Sequence, residues 1–430
     1  MTEFLWYVGG IVFILLGIGF SIGWHELGHL IPAKLFGVKV PKYMIGFGPT
    51  LFSRTRGETE YGVKAIPLGG YITMIGMYLP KGKRKDPKGY FAESVKAARS
   101  AHSEFVTPED KNRMFYQLPV FKRIIVMFGG PFMNLFLGVV LTIGTLMGFG
   151  TYVRSAEIQE ISQCVPSTFA QRVECTQNDA VAPAKAAGLF AGDVVTAVNG
   201  KAISNWDEIN TYAQKNPGAL NLTVSRGSET LQLQLTPAIV QRPVTQADGT
   251  QVNQSGPFFG VVLKPARQPH SFESAIAYSA NAVGQTFAMI ATLPVQIYNL
   301  VNDTITGGER DANGPISLIG IGQVAGEVAA NQEFSFVDKF TSGLLMLASL
   351  NFALFAFNMI PLLPLDGGHI AGGIYEAIKR GLWRLFRKGD PGPADTALLM
   401  PITYVVTILL IALSLVLIVV DLINPVALGN

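Results

Sequence analysis

Trp24-His25-Glu26-Leu27-Gly28-His29 lies inside the first long apolar run of the chain. Across residues 4–33, His25, Glu26 and His29 are the only side chains that carry a charge or an imidazole. A charged side chain at the centre of a bilayer costs about 2.5–3.5 kcal/mol even on the mildest insertion scale. Such a run must therefore give these groups a ligand, a partner or a wet cavity. On a helix, residues four apart lie about 40° apart around the axis and about 6 Å along it. His25 and His29 then face one way and can bind one ion. Glu26 reaches the same neighbourhood without being forced to ligate. His-Glu-x-x-His is the pattern in which two imidazoles hold zinc and the glutamate serves as general base. Neutral imidazoles suit zinc, and a catalytic zinc keeps one position for water. The same five residues also arise by chance on exposed helices of soluble proteins, where they cost nothing; the apolar setting separates the two cases.

Composition agrees with a membrane setting. Of 430 residues, 49% are hydrophobic and 15% charged, and the mean hydropathy is +0.34; soluble domains carry about 25% charged residues. A net charge of +3, with no aromatic-basic cluster, gives no sign of nucleic-acid binding. Five histidines are too few for a multi-histidine di-metal oxidase. A span takes about 20 apolar residues, and four segments meet that, at 4–35, 124–153, 340–363 and 398–422. The first lacks the basic lead-in of a signal peptide and runs on into the histidine motif. A fifth stretch, 275–301, contains Asn281, Gln285, Pro294 and Gln296, and is predicted to be an amphipathic helix on or beside the membrane.

Basic residues orient the chain. None precedes the first span, whereas 34–123 is rich in them, including Lys81, Lys83, Arg84, Lys85 and Lys88. The loop after the third span carries Lys379, Arg380, Arg384, Arg387 and Lys388. The positive-inside rule puts both loops in the cytoplasm, and both termini with 153–339 outside. Cys164 and Cys175, the only cysteines, fall in the outer region and are either a stapling disulfide or two free thiols.

The expected organisation is a first transmembrane helix with the histidine motif at 1–37, a membrane-associated β element at 38–78 and a cytoplasmic linker at 79–122. A second transmembrane helix follows at 123–153, an outer domain at 155–265 and a membrane-surface region at 266–339. A third transmembrane helix at 340–366, a cytoplasmic loop at 367–397 and a fourth transmembrane helix at 398–422 complete it. Within 38–77, alternation broken by Gly and Pro predicts short antiparallel strands, whose edge would suit an extended peptide. His102 is isolated among polar residues and reads as solvated. In the outer domain, Ala186-Ala187-Gly188 is a small-residue turn, Gly192-Asp193 leads into an apolar strand, and Asn199-Gly200 is a hairpin turn. With a helix at 206–214 and a strand pair around Arg226-Gly227, the pattern resembles a PDZ domain of the bacterial protease-associated type. Such a domain either binds an extended peptide or obstructs bulky substrates.

A third metal ligand should come from another span. The third span ends Asn358-Met359-Ile360-Pro361-Leu362-Leu363-Pro364-Leu365-Asp366-Gly367-Gly368-His369. Pro361 and Pro364 break the helix, and Asp366 is an anionic oxygen donor on the same, cytoplasmic, side as His25 and His29. His369 is the other candidate, and an interfacial helix terminator is the plain alternative.

Taken together, the chain resembles the site-2 protease family of intramembrane zinc metallopeptidases, in the bacterial branch that cleaves anti-sigma factors. The resemblance is carried by His25-Glu26-Leu27-Gly28-His29 and by the Asn358–Gly367 motif, with Gly130-Pro131-Phe132-Met133-Asn134, Gly314-Pro315-Ile316-Ser317 and the PDZ insertion in support. It implies a polytopic α-helical membrane protein of the bacterial cytoplasmic membrane, with Zn2+ on His25, His29 and Asp366 and Glu26 as catalytic base. It implies that Asn134 and Asn358 hold substrate backbone or stabilise the oxyanion; interhelical hydrogen bonding is the competing role. Substrates would be single-span membrane proteins or signal-peptide remnants, shortened outside before the PDZ domain admits them. One PDZ pattern is present where some members have two. Two rivals belong to other classes: a membrane-anchored PDZ scaffold with a structural zinc, and a metal-ion transporter, which would show further intramembrane carboxylates.

Overall fold

The computed structural model describes residues 2–79, 92–100, 105–165, 175, 179–245, 251–308, 310–311, 314–387 and 389–426. The lysine-rich cluster at 81–88 and His102 lie outside the described residues. The chain divides into two compact units, one of Met1–Gly148 with Ser271–Asn430, the other of Phe149–His270.

Helix α1 (Thr2–Leu35) is a continuous apolar run ending beyond Pro32, with Lys34 in its last turn where a cation opposes the helix dipole. Strands β1 (Lys42–Arg56) and β2 (Thr59–Thr73) form an antiparallel hairpin. Both bend. Tyr43 pairs with Tyr61 on one side and Ile72 on the other, and Gly62 pairs with Met44 and Ser53. The hairpin is therefore four short segments in the order 70–73, 42–47, 59–66, 50–56. Gly46 (φ 93°) makes one bend, where a Cβ would lie 2.8 Å from the Ile66 carbonyl oxygen. The Tyr43 hydroxyl donates to the Gly23 carbonyl at 2.7 Å and Lys34 donates to Tyr61 Oη at 2.9 Å, tying this sheet to α1. After α2 (Ala92–Ser100) comes α3 (Val120–Gly148). The second span was expected to reach residue 153, but the helix stops at Gly148. Gly150 takes φ 70° and its Cα sits against the Gln268 carbonyl, so Tyr152 and Val153 enter a strand instead.

The second unit is built from β3 (Thr151–Ile161), α4 (Pro183–Ala186), β4 (Val194–Val198), β5 (Lys201–Ala202), α5 (Trp206–Lys215), β6 (Leu220–Arg226), β7 (Glu229–Leu235), β8 (Ala238–Thr245), β9 (Gln251–Phe258) and β10 (Val261–Gln268). Its main sheet runs β10-β3-β4-β6-β7, with β5 beside β4, and β8–β9 forms a separate hairpin that sequence patterning did not reveal. Asn199 (φ 48°) and Gly200 (φ 79°) make the expected hairpin turn between β4 and β5. Asn205 caps α5 by accepting from the Glu208 N–H. Ile158, Leu189, Val195, Trp206, Ile209, Leu222 and Leu235 form the core. Cys164 and Cys175 are joined in a disulfide.

Asp193 is 1% exposed and is gripped by Arg226 through two hydrogen bonds of 2.8 Å, with the Phe190 N–H donating to it as well. The Arg226 hydrogen bonds hold its carboxyl below the usual range, against the opposing effect of burial. A carboxyl depressed on folding contributes stability above its unfolded pKa of about 3.9 and loses it as pH falls through the folded value. Asp193→Asn is therefore expected to lower the unfolding midpoint of this unit at pH 7 by at least about 4 °C, the shift of one kcal/mol in a domain this small. The gap to wild type should narrow at about pH 3, as measured by thermal unfolding of the full chain at both pH values.

The first unit resumes with α6 (Phe272–Thr306), α7 (Leu318–Ala330), α8 (Phe336–Asn358), α9 (Asp366–Leu385) and α10 (Met400–Ile423). Serines cap three of these: Ser271, Ser317 and Ser335 each accept from N–H groups of the first turn. Among the described residues, four helices are long and apolar enough to cross a membrane, at Thr2–Leu35, Val120–Gly148, Phe336–Asn358 and Thr396–Ile423, in the four expected places. The third was expected to run to 366. It ends at Asn358, and residues 359–365, with Pro361 and Pro364, are irregular. The stretch expected as a loop from 367 holds α9, which its four early glycines disguise by their poor helix propensity. Tertiary contacts supply what propensity lacks. Ile370 packs beside Leu30 and Val126, and Glu376, 1% exposed, pairs with Arg123 at 2.6 Å and Arg380 at 3.0 Å.

Candidate active site

Two helices bring the site together by losing their side chains where they cross. A Cβ on Gly28 would lie 2.2 Å from the Gly129 carbonyl oxygen, and one on Gly129 would lie 2.0 Å from the Gly28 oxygen. Small residues let membrane helices approach this closely. One residue on, a Cβ at Gly130 would sit 2.2 Å from His29 Nε2 and 2.7 Å from His25 Nε2. The backbone of α3 thus floors the space between the two imidazoles. The chain break after α8 delivers Asp366, at the start of α9, to the open side of the same pair.

Three ligand atoms meet there. His25 Nε2 and His29 Nε2 are 3.1 Å apart, and Asp366 Oδ2 lies 3.2 Å from the first and 3.3 Å from the second. A tetrahedral zinc with bonds of about 2.0–2.1 Å spaces its ligand atoms about 3.3–3.4 Å apart, within about 0.3 Å of each side of this triangle. The other ring nitrogens are committed. His25 Nδ1 is 2.5 Å from Asn134 Oδ1 and His29 Nδ1 is 2.8 Å from the Val126 carbonyl oxygen. Both acceptors require the proton on Nδ1, so both Nε2 atoms present lone pairs. Asp366 Oδ2 is buried and accepts no hydrogen bond. Two lone pairs and a carboxylate oxygen in mutual contact repel one another unless a cation lies among them. The donor set, spacing and orphaned oxygen all fit zinc. Among the described residues this is the group of metal-ligating side chains that meets, and His369 is not in it; its ring lies 6.3 Å from that of Tyr78.

The triangle opens on a cavity of about 350 Å³ lined by Glu26, Asn358 and the 69–72 segment of the β hairpin. Glu26, itself buried, takes a backbone hydrogen bond from Ile72, and a Cβ on Gly70 would lie 3.0 Å from Glu26 Cγ. Asn358 donates to the Leu354 carbonyl of its own helix at 3.0 Å and lines the cavity. Asn134 is different. It is fully buried, its Oδ1 serves His25, and its Nδ2 donates to Asn351 Oδ1 at 2.9 Å and to the Ser21 carbonyl at 3.3 Å. Both N–H groups of its amide are thus engaged across helices and its oxygen meets His25, while the residue also lines the cavity. Asn351 escaped notice in the sequence, where it is one polar residue in an apolar helix.

Residues 13–386 match the model of peptidase family M50. The chain is similar to zinc metalloprotease Rip1 of Mycobacterium tuberculosis, with 31% identity over 98% of this chain and 99% of that one. Zinc metalloprotease Rip1 of Mycolicibacterium smegmatis is 33% identical over 97% and 98% of the two chains. Metalloprotease MmpA of Caulobacter vibrioides is 28% identical over 88% and 89%. An imidazole pair and a carboxylate arranged for a metal, beside a glutamate and among membrane-length helices, define a membrane metallopeptidase. This chain belongs to peptidase family M50 and is a multi-pass membrane protein.

Proposed function

We propose that this protein is an intramembrane zinc metalloprotease of the site-2 type that hydrolyses peptide bonds within the membrane spans of single-span proteins. The observation that carries this is the triangle of His25 Nε2, His29 Nε2 and Asp366 Oδ2 opening on a cavity that holds Glu26, with both histidines and Glu26 in a helix of membrane length. A structural zinc takes four protein ligands and closes its site; three ligands facing a cavity fit catalysis, which disfavours the scaffold alternative.

His25, His29 and Asp366 would hold the zinc. When bound, it supplies a Lewis acid for the scissile carbonyl and makes a water nucleophilic near neutral pH. Glu26 takes the proton from the attacking water and passes it to the leaving amide nitrogen. Asn358, with an oxygen free of its own helix, is placed to hold the substrate backbone. The 70–73 segment pairs with the hairpin on one side and lines the cavity with the other, so an unwound substrate adds to it as a strand. Gly70→Val would push that segment off Ile22 and Glu26, which lie 2.8 and 3.0 Å from its added Cβ. It is expected to lower kcat by about 10²-fold, the effect of a misplacement of about 1 Å, with zinc content unchanged, as measured by turnover and metal analysis.

We place the protein in a bacterial cytoplasmic membrane, with the metal site towards the cytoplasm and the Phe149–His270 unit outside. The basic residues after α1 and in α9, and the disulfide in the second unit, support this orientation. The outer unit is read as a PDZ domain, on its Gly192-Asp193 lead-in, Asn199-Gly200 hairpin and the helix α5 that follows; it excludes substrates until they have been shortened. The test is to incubate the purified full chain with a panel of tagged single-span proteins, with and without a chelator. Cleavage that chelation stops and added zinc restores supports the proposal; cleavage indifferent to chelation, or none across a broad panel by zinc-loaded protein, contradicts it.

A further inference from the structure

The structure assigns Asn351 and Ser21 a positioning role: with Asn134 they form a polarity relay that fixes the metal-binding tautomer of His25. The relay crosses three helices. Ser21 Oγ, on α1, donates to the Gly17 carbonyl at 2.9 Å. Asn351 Nδ2, on α8, donates to the Leu347 carbonyl at 2.8 Å and to Ser21 Oγ at 2.9 Å. Asn351 Oδ1 accepts from Asn134 Nδ2, on α3, at 2.9 Å, and Asn134 Oδ1 faces His25 Nδ1 at 2.5 Å. Asn134 and Asn351 are 0% exposed and Ser21 is 1% exposed.

The direction of every bond follows from the two ends that cannot change. Backbone carbonyls only accept, so the amide nitrogen of Asn351 must face Leu347 and its oxygen must face Asn134. That oxygen at 2.9 Å, together with the Ser21 carbonyl at 3.3 Å, holds the nitrogen of Asn134, so Asn134 turns its own oxygen to His25. An oxygen there requires the imidazole proton on Nδ1 and leaves Nε2 bare for the metal. Were the Asn134 amide to turn over, its N–H would face Nδ1, the proton would move to Nε2, and the ligand would be lost. His29 needs no relay, since the Val126 carbonyl meets its Nδ1 directly. Groups that orient a metal-binding histidine typically contribute about 10–100-fold in metal affinity.

This inference rests on the zinc-centre reading above, and the test separates the two. Zinc affinity is measured by chelator competition on the purified full chain, together with the ligand-field spectrum of the Co2+-loaded protein. Asn134→Leu and Asn351→Leu are each expected to weaken zinc by about 10–100-fold and to alter the cobalt spectrum, and the double variant to lose no more than the worse single one. Asn351→Asp, whose protonated carboxyl can reproduce the acceptor and one of the two donated bonds, is expected to lose less zinc affinity than Asn351→Leu. A packing role predicts the reverse order, because leucine is the better residue for an apolar helix. Should leucine fit poorly, Ser21→Ala and its hydroxyl-retaining counterpart Ser21→Thr repeat the comparison at the far end, with only alanine expected to weaken zinc. Wild-type affinity and spectrum in Asn351→Leu, or losses that multiply in the double variant, would overturn the relay. If His25→Ala keeps the wild-type zinc affinity, the metal centre is elsewhere and the relay falls with that reading, a result visible in a variant that leaves the relay residues untouched.

Discussion

Glu26→Gln is expected to lower turnover by about 10²–10⁴-fold, the usual contribution of a general base, while zinc content stays at the wild-type level. Glutamine keeps the size and hydrogen-bonding reach of glutamate and loses only its basicity. Glu26 lies one residue from His25 but is not part of the triangle, so its replacement leaves all three atoms proposed to bind the metal in place. Its surroundings also remain: the Ile72 backbone and Gly70 pack on it as part of the hairpin edge. Substrate should therefore still bind, and the variant should retain an uncut single-span protein that the wild type releases as two fragments. Parallel turnover assays, metal analysis and co-purification of a tagged substrate check this. Loss of zinc together with turnover would instead assign Glu26 to holding the site together.

Gly130→Ala is expected to remove zinc binding almost completely, although glycine offers the metal no ligand. The added methyl would occupy the space 2.2 Å from His29 Nε2 and 2.7 Å from His25 Nε2, where no carbon can sit beside a liganded imidazole. The helices cannot easily part to make room. At the preceding residue they already touch backbone to backbone, Gly28 against Gly129, and His29 is held from behind by the Val126 carbonyl. One imidazole must turn away, and with two ligands left the affinity should fall by at least the 10–100-fold typical of losing an orienting group. Zinc titration of the purified variant measures this; wild-type affinity would mean that the crossing is looser than its geometry requires. Gly144, on the same helix, where an added Cβ would meet nothing within 4 Å, serves as the control position for an alanine substitution.

The residues proposed as metal ligands were legible in the sequence because their signal is local. Two histidines four apart with a glutamate between them need only a helix to converge, and their presence in an apolar run demands an explanation. Asp366 was legible for a similar reason, as a carboxylate beside a helix-breaking pair of prolines. What was hidden depends on partners far along the chain. Asn351 acquires its meaning from Asn134 and Ser21, 217 and 330 residues away. Gly130 stood out only as part of a supporting motif, and its place between the two imidazoles shows once α1 is laid against it. Asn134 stood between a substrate contact and interhelical bonding, because a polar residue near a metal motif is ambiguous until its hydrogen bonds are counted. The helix α9 was concealed by the opposite effect, since its glycines argue locally against a helix that Glu376 and Ile370 secure through distant contacts.

The most direct test of intramembrane proteolysis is the position of the cut. Purified zinc-loaded protein is reconstituted in lipid vesicles with a single-span substrate, and the masses of both products are determined beside those from Glu26→Gln. A cut at a bond inside the substrate's apolar span, made by the wild type and not by the variant, is the predicted result. A cut confined to the polar flanks of that span, or equal cutting by the two proteins, would contradict a peptidase that works within the membrane through Glu26.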